Sequence, residues 1–144
     1  MEKRRSFLGT TLGLLALGVS TRAVAAPAKQ KVAYHLSELE KVDFVLNNIR
    51  NHIDGMGGPD KVDIQLVVHG PALQAFHSAR AKGGLQDALD ALAADGVGLH
   101  ACGNTMRAQR VDLVGLLQGF VRRDEGGVVV LATLQQQGYV YLRP

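Results

Sequence analysis

Apolar positions change their spacing along the chain, and these changes predict alternating strands and helices. The segment 31–36 (KVAYHL) has the composition of a strand, and a capping-box pattern at 37–40 (SELE) predicts the start of a helix. Five apolar residues then recur at the spacing of one helix face: Val42, Val45, Leu46, Ile49 and Ile53. Together these segments predict a β-strand followed by an amphipathic α-helix.

A second strand and two more helices are predicted after this unit. The segment 63–68 (DIQLVV) is nearly continuous in apolar residues at its end, as in a strand covered on both faces. Residues 70–71 (GP) predict the start of a second helix, since proline is tolerated in the first helical turn. The expected apolar face of that helix consists of Leu73, Phe76 and Ala79. A third helix over 85–94, capped by Gly96, precedes a third strand over 97–101.

The C-terminal part of the chain gives conflicting signals. Asn104 or Thr105 is expected to cap a short helix. The segment 128–134 (VVVLATL) has strand propensity, but the alternation of elements places a helix before the last strand at 139–142 (YVYL). We follow the alternation, because β-propensity depends strongly on context. Strands separated by helices pair in parallel, so the pattern predicts a doubly wound α/β sandwich.

The N-terminal residues have the pattern of an export signal. A basic cluster at 3–5 (KRR) precedes an apolar run over 7–19, and small residues at 23–25 (AVA) have the spacing of a cleavage site. The run is shorter than the ~20 residues that span a bilayer, so a membrane anchor is disfavoured. We therefore expect a twin-arginine-like signal peptide over 1–25, a single domain over 26–144 and a periplasmic location.

Removal of the predicted signal peptide changes the net charge of the protein. The full chain of 144 residues carries a formal net charge of +3, but residues 26–144 contain 12 basic and 12 acidic side chains. A neutral domain has no basic surface to attract nucleic acid or an anionic membrane, so neither is predicted as a partner.

The chain contains one cysteine, Cys102. In an exported protein a single thiol cannot form an intramolecular disulfide, so it is an inert core residue, an intermolecular link or a reactive group. No short ligand pair such as Cys-x-x-Cys or His-x-x-x-His is present, and the glycine-rich segment 55–58 follows a helix instead of a strand. The sequence therefore predicts neither a metal site nor a cofactor.

Polar groups that can react lie at the ends of three predicted strands. His35 ends the first strand, His69 the second, and His100 with Cys102 the third. Ligands of open parallel sheets bind at the carboxyl ends of the strands, so these residues are expected to meet. His100 and Cys102 point to one face if the strand extends that far, which makes His100 the candidate proton acceptor for a Cys102 thiolate.

The residues around these strand ends are candidates for binding. Gly70 and Gly103 allow close approach of a substrate to the backbone. Asn104 and Thr105, with the amides that follow Cys102, are expected to form an edge that stabilises an anion. With His35 and His69, these residues complete the predicted site.

Three segments together resemble the DsrE/DsrF-like family, and in particular its small exported branch. They are VVHGP at 67–71, GVGLHACGNTM at 96–106 and LQQQGYVYLRP at 134–144. The resemblance implies a Rossmann-like three-layer α/β/α sandwich with a mainly parallel sheet of about five strands. It also implies assembly as homotrimers or homohexamers and a helix over 128–137. Relay members of this family carry sulfur as a persulfide on a cysteine, and Cys102 occupies the matching strand-end position.

The sequence leaves more than one function open. The first is a periplasmic sulfur carrier, sulfurtransferase-like, with a sulfur donor or acceptor protein as partner; cytoplasmic members use dedicated partner subunits, which cannot be assigned to an exported chain. The second is a non-catalytic oligomeric module that binds a small ligand or a protein, in which Cys102 is only packed. A metal or redox sensor that uses the histidines is a third. An inaccessible thiol would favour the second.

Overall fold

The computed structural model describes residues 28–144, which form one parallel sheet with helices on both faces. The strand order is β4-β3-β2-β1-β5, and every neighbouring pair is parallel. The strands are β1 (Gln30–Leu36), β2 (Val62–Val68), β3 (Gly98–Cys102), β4 (Phe120–Arg123) and β5 (Val140–Leu142). The α-helices are α1 (Val42–Gly55), α2 (Leu85–Ala94), α3 (Gly103–Gln109) and α4 (Gly127–Gln136). The predicted α/β fold is therefore confirmed.

The two faces of the sheet carry cores of different size. The larger core lies between the sheet and helices α1 and α2, and it includes all five apolar residues predicted for the face of α1. The smaller core lies under α4 and consists of Ala33, Val67, Val130, Leu131 and Leu134. A single helix thus covers the second face, and the ends of the strands beside it are available to form a site.

Two predicted helix caps were wrong, and a third predicted helix starts as expected but differs in type and length. Helix α1 is preceded by a 3₁₀ turn, Leu39–Lys41, and no side chain caps it. Ser37 instead donates its hydroxyl to the carboxylate of Glu38 at 2.9 Å. The N-cap of α3 is Cys102, not Asn104 or Thr105, and no side chain caps this helix. After β2 a helix does begin at Gly70, as predicted, but it is a 3₁₀ helix that ends at Phe76. Ala79 lies beyond it and is exposed, so it is not part of an apolar face.

The difficult C-terminal part follows the predicted alternation. The segment 128–134 lies within α4, and the last strand follows it. Strand β4 was not predicted individually; it places Phe120 beside Leu99 of β3, and Phe120 is buried. The predicted signal peptide lies outside the described residues. Within 28–144, no helix has the length and apolar character needed to cross a membrane.

Candidate functional site

A row of polar side chains crosses the carboxyl edge of the sheet beneath the start of α4. Tyr141 lies on β5, His35 on β1, His69 directly after β2, and Cys102 at the end of β3. The register pairs Val68 of β2 with Ala101 of β3, so the residues that follow them, His69 and Cys102, come next to each other. Four neighbouring strands, β5, β1, β2 and β3, therefore each bring one of these side chains to the same edge.

The row faces α4 because side chains alternate along each strand. Ala33 and Val67 pack against α4. His35 and His69 each lie two residues further along and therefore point to the same side of the sheet. Cys102 faces this side as well, since its sulfur accepts a hydrogen bond from the amide of Gly127, the first residue of α4, at 3.1 Å.

Cys102 is surrounded by hydrogen-bond donors and is nearly inaccessible, with 5% of its surface exposed. Burial raises the pKa of a thiol, but here the hydroxyl and amide of Thr105 and the amides of Gly127 and Asn104 donate to the sulfur. These bonds outweigh burial and hold the pKa of Cys102 below its ordinary value. The surroundings thus favour the thiolate, which is the nucleophilic form.

Glycines allow the starts of α3 and α4 to approach the sulfur together. A Cβ atom on Gly103 would lie 2.8 Å from the carbonyl oxygen of Arg123, in the chain that leads to α4. A Cβ atom on Gly127 would lie 3.3 Å from Cβ of His69 and 3.4 Å from Cβ of Cys102. Gly127 therefore packs tightly against both neighbours, and a side chain there would require them or α4 to shift by a few tenths of an ångström.

Thr105 links the sulfur to the β2 loop. Its hydroxyl oxygen accepts a hydrogen bond from the amide of Gly70 at 2.9 Å. Because that oxygen accepts on one side, its hydrogen can be donated to the Cys102 sulfur on the other. Gly70 has a positive φ of 59°, which glycine adopts at low cost. The structure thus brings together Cys102, Asn104, Thr105 and the two predicted glycines.

His35 and His69 form a hydrogen-bonded pair through their Nε2 atoms. Nδ1 of His35 is hydrogen bonded to the hydroxyl of Tyr141 at 2.6 Å, and His35 is 8% exposed. Burial, followed by the charges of His69 and Arg143, lowers the pKa of His35 to about 4, against a smaller opposing effect of Glu38. Burial and Arg143 likewise lower the pKa of His69. Both imidazoles are therefore neutral at pH 7.

An ion pair closes the outer rim of this histidine pair. Arg143 donates to Glu38 at 2.5 Å and to the hydroxyl of Ser37 at 3.2 Å. Hydrogen bonds from Arg143 and Ser37 lower the pKa of Glu38 to about 2, so its carboxylate stays charged at neutral pH. Because the Glu38 carboxylate is paired with Arg143, it only partly offsets the burial and the Arg143 charge that lower the pKa of both histidines.

His100 is directed away from Cys102. Its Nε2 atom is hydrogen bonded to Oε1 of Gln65 at 2.7 Å, while Nδ1 is buried and has no partner within the described chain. Burial, and then the charge of Arg123, lowers its pKa. The ring borders a cavity of about 280 Å³ between the sheet and α4, which Tyr139 also lines. Neither ring nitrogen is bonded to the Cys102 sulfur.

Sequence reasoning missed Tyr141 and Gly127 as members of the site. Tyr141 was assigned only to the last predicted strand, 139–142, and Gly127 lies one residue before the helix that the resemblance implies over 128–137. The position of Tyr141 at a strand end was the available signal, because parallel strands bring such residues to a common edge. Within residues 28–144, no group of three or more His, Cys, Asp or Glu side chains could hold a metal ion.

Comparison with known proteins identifies the fold. No family model matches the chain, and no curated protein does so either. The protein of unknown function MTH1491 from Methanobacterium thermoautotrophicum is similar in structure, with a TM-score of 0.69 and 25% identity over 81% of this chain and 100% of that one. The ychN protein from E. coli aligns with a TM-score of 0.61 and 19% identity, over 80% and 99% of the two chains.

Proposed function

From the DsrE/YchN-like fold of residues 28–144 and the hydrogen-bonded thiol at its sheet edge, we propose that this protein carries sulfane sulfur as a persulfide on Cys102. The observation that carries the proposal is the set of donors directed at one sulfur atom. Gly127, Asn104 and Thr105 supply amides, and Thr105 adds its hydroxyl. Such a set stabilises a negative sulfur, which a packed, inert thiol does not require.

The chemistry is a transfer of one sulfur atom from a donor to the Cys102 thiolate. The Cys102 thiolate attacks the sulfane sulfur of a polysulfide, a persulfide or thiosulfate. A new S–S bond forms on Cys102 while the S–S bond of the donor breaks, and the leaving group departs as a thiolate, a shorter polysulfide or sulfite. The persulfide also carries a negative charge, so donors placed around the thiolate are suited to the product as well.

The burial of Cys102 favours a second candidate function. With 5% of its surface exposed, the residue is packed between the β2 loop, α3 and α4. In this second function the protein is a non-catalytic module that binds a small ligand or a protein at the same edge, and the thiol has a structural role. The two functions differ in one property, which is the reactivity of the sulfur in the native protein.

Intact mass spectrometry tests the proposal directly. Protein comprising residues 26–144 is mixed with polysulfide or thiosulfate and compared with Cys102→Ala. We expect a gain of about 32 Da, one sulfur atom, in the unmodified chain, which is lost on reduction and absent in the variant.

A native thiol titration serves as the second measurement. No mass gain, together with a thiol that reacts only after unfolding, would overturn the carrier function and support the binding module. A gain that persists in Cys102→Ala would also overturn it, because the sulfur would then be held elsewhere.

We further propose that this carrier works in the periplasm. The support is the pattern of residues 1–25, in which a basic cluster precedes a short apolar run and a small-residue cleavage site. Mass analysis of the protein purified from the periplasmic fraction tests this. An N-terminus near Ala26 is expected, whereas an uncleaved chain confined to the cytoplasm would contradict it.

A further inference from the structure

His69 has one ring nitrogen that the hydrogen bonds of the site do not use. Its Nε2 atom is bonded to His35, whereas Nδ1 makes no hydrogen bond to any residue of the described chain. Nδ1 is the nitrogen attached to Cγ, and Cγ of His69 lies 3.5 Å from the position of a Cβ atom on Gly127. The Cγ end of the ring, which carries Nδ1 and Cδ2, thus lies beside α4.

Cys102 lies against the same point of α4. The Cβ atom of Cys102 would lie 3.4 Å from a Cβ atom on Gly127, and the Cβ atom of His69 would lie 3.3 Å from it. The two residues are also lateral neighbours, because each directly follows a member of the last β2–β3 pair, Val68 and Ala101. Neighbouring parallel strands lie about 4.8 Å apart, so the two side chains leave adjacent strands on the same face.

We propose that His69, rather than His100, is the base that takes the Cys102 proton, and that His35 and Tyr141 are positioning residues that set its tautomer. This assignment rests on the proposed sulfur-carrier function, to which it adds the path of the proton. His100 is the less suitable base, since its Nε2 atom is bonded to Gln65 and its Nδ1 atom is enclosed.

The tautomer follows from the chain of hydrogen bonds. A neutral imidazole has one N–H group, so Nδ1 of His69 can accept a proton only when Nε2 carries the hydrogen. That hydrogen is donated to Nε2 of His35, which must then carry its own hydrogen on Nδ1 and donate it to the oxygen of Tyr141. Tyr141 is 38% exposed, and its hydroxyl hydrogen can be donated to solvent.

During one sulfur transfer, the proton lost by Cys102 passes through His69 to the leaving group. The S–H bond of Cys102 breaks and the proton moves to Nδ1 of His69, which leaves a thiolate beside an imidazolium. The thiolate forms the new S–S bond, the donor's S–S bond breaks, and the proton on His69 passes to the departing thiolate or sulfite. The nearby charged groups, Arg143 and Glu38, are paired with each other; they shift the pKa values of the histidines in opposite directions but exchange no proton in this step.

The pH profile of Cys102 alkylation by iodoacetamide tests the base. We expect His69→Gln to slow alkylation on the order of tenfold or more below the thiol pKa and to leave it unchanged well above that pKa, where no base is needed. Tyr141→Phe should give a smaller loss of the same shape. Tyr139→Phe is the matched control, because its hydroxyl is bonded to Asp63 at 2.7 Å and lies outside the row.

The tautomer of His69 gives a second readout that does not depend on folding of a histidine variant. Long-range ¹H–¹⁵N spectra of the unmodified protein near neutral pH should show the hydrogen of His69 on Nε2. In Tyr141→Phe the hydrogen should move toward Nδ1, whereas in Tyr139→Phe it should stay. A hydrogen on Nδ1 in the unmodified protein would overturn the assignment.

The outcomes separate this assignment from the proposed function. Absence of sulfur uptake, with the expected tautomer and alkylation profile, would overturn the carrier function and leave the base assigned. Sulfur uptake with an alkylation profile that His69→Gln does not change would overturn the base alone. A loss of rate in His69→Gln that persists at high pH would indicate a structural role and would also overturn it.

Discussion

At the scale of single residues, the reactivity of Cys102 depends on donors from separate segments of the chain. The amide of Gly127 comes from the start of α4, and Thr105 belongs to the first turn of α3. The thiol itself has no charged partner in this set. Its pKa is therefore controlled by hydrogen bonds, each of which can be removed without introducing a charge.

Thr105→Val removes the hydroxyl donor and keeps the shape of the side chain. A hydrogen bond to a charged group contributes about 1.5–3 kcal/mol, so we expect the pKa of Cys102 to rise by about one unit or more. The midpoint of the alkylation pH profile should shift upward accordingly.

Thr105→Ser is the matched control for that experiment. It keeps the hydroxyl that donates to the sulfur and accepts from Gly70, so the midpoint should stay near that of the unmodified protein. Equal midpoints for the valine and serine variants would show that the hydroxyl does not contribute.

At the scale of elements, the site depends on the close approach of α3 to the β4–α4 turn. Gly103 is buried, and a Cβ atom there would lie 2.8 Å from the carbonyl oxygen of Arg123 and 3.0 Å from Cα of Asp124. Both contacts are with backbone, which cannot rotate away as the end of a side chain can. A side chain at this position must therefore displace α3 or the turn.

Gly103→Ala should lower the free energy of unfolding by about 1–3 kcal/mol, the cost typical of overpacking, and move the amide of Gly127 away from the sulfur. Urea denaturation gives the free energy, and the alkylation profile should shift to higher pH in the same variant.

Gly83→Ala is the matched control, since a Cβ atom there meets nothing within 4 Å and its backbone φ is not positive. It should change stability only slightly. Similar stability of the two alanine variants would contradict the close approach.

Elements dominated by local periodicity could be predicted from the sequence, whereas those fixed by distant contacts could not. The apolar face of α1 and the bounds of α2 agree with the structure because each helix buries its own repeating pattern. The capping box failed because the hydroxyl of Ser37 is bonded to Glu38 and to Arg143, which is 106 positions away along the chain. Strand β4 has two arginines in four residues, and only its pairing with β3 identifies it.

The same distinction applies to the site. Strand ends predicted that His35, His69 and Cys102 would meet, because the carboxyl edge of a parallel sheet is set by topology. The direction of the His100 ring could not be predicted, since it depends on Gln65, which itself donates to Asp63 at 2.7 Å. Gly98 makes room for that amide, as a Cβ atom there would lie 2.0 Å from Oε1 of Gln65.

At the scale of the whole molecule, the site is an edge of the sheet that one helix only partly covers. The expected homo-oligomer and the expected export remain predictions, and α4 presents Val128 and Val129 outward at 69% and 50% exposure. Light scattering of residues 26–144 measures the assembly state. Within the single chain, the carboxyl edge of the sheet holds several buried or half-buried, neutral imidazoles. Protonating them in the folded state costs free energy, which we expect to affect the stability of the whole domain.

The free energy needed to protonate these imidazoles predicts that the stability of the fold depends on pH. The pKa of His35 is about 4 in the folded protein and near 6.5 when the chain is unfolded, so between these values the unfolded state binds more protons. Stability from His35 is therefore fully present above about pH 6.5 and is lost as pH falls through about 4, with a total near 3 kcal/mol. The lowered pKa values of His69 and His100 act in the same direction.

Urea unfolding between about pH 7.5 and about pH 4.5 measures this loss directly. The free energy of unfolding should fall steadily as the pH is lowered. His35→Gln should reduce the slope of this free energy against pH. Glu38 contributes little in this window, because its pKa of about 2 lies below an ordinary value of 4.5, and its effect begins only at lower pH. A stability that is constant or rises on acidification would show that His35 is not held neutral by burial, and the tautomer chain built on two neutral imidazoles would fail with it.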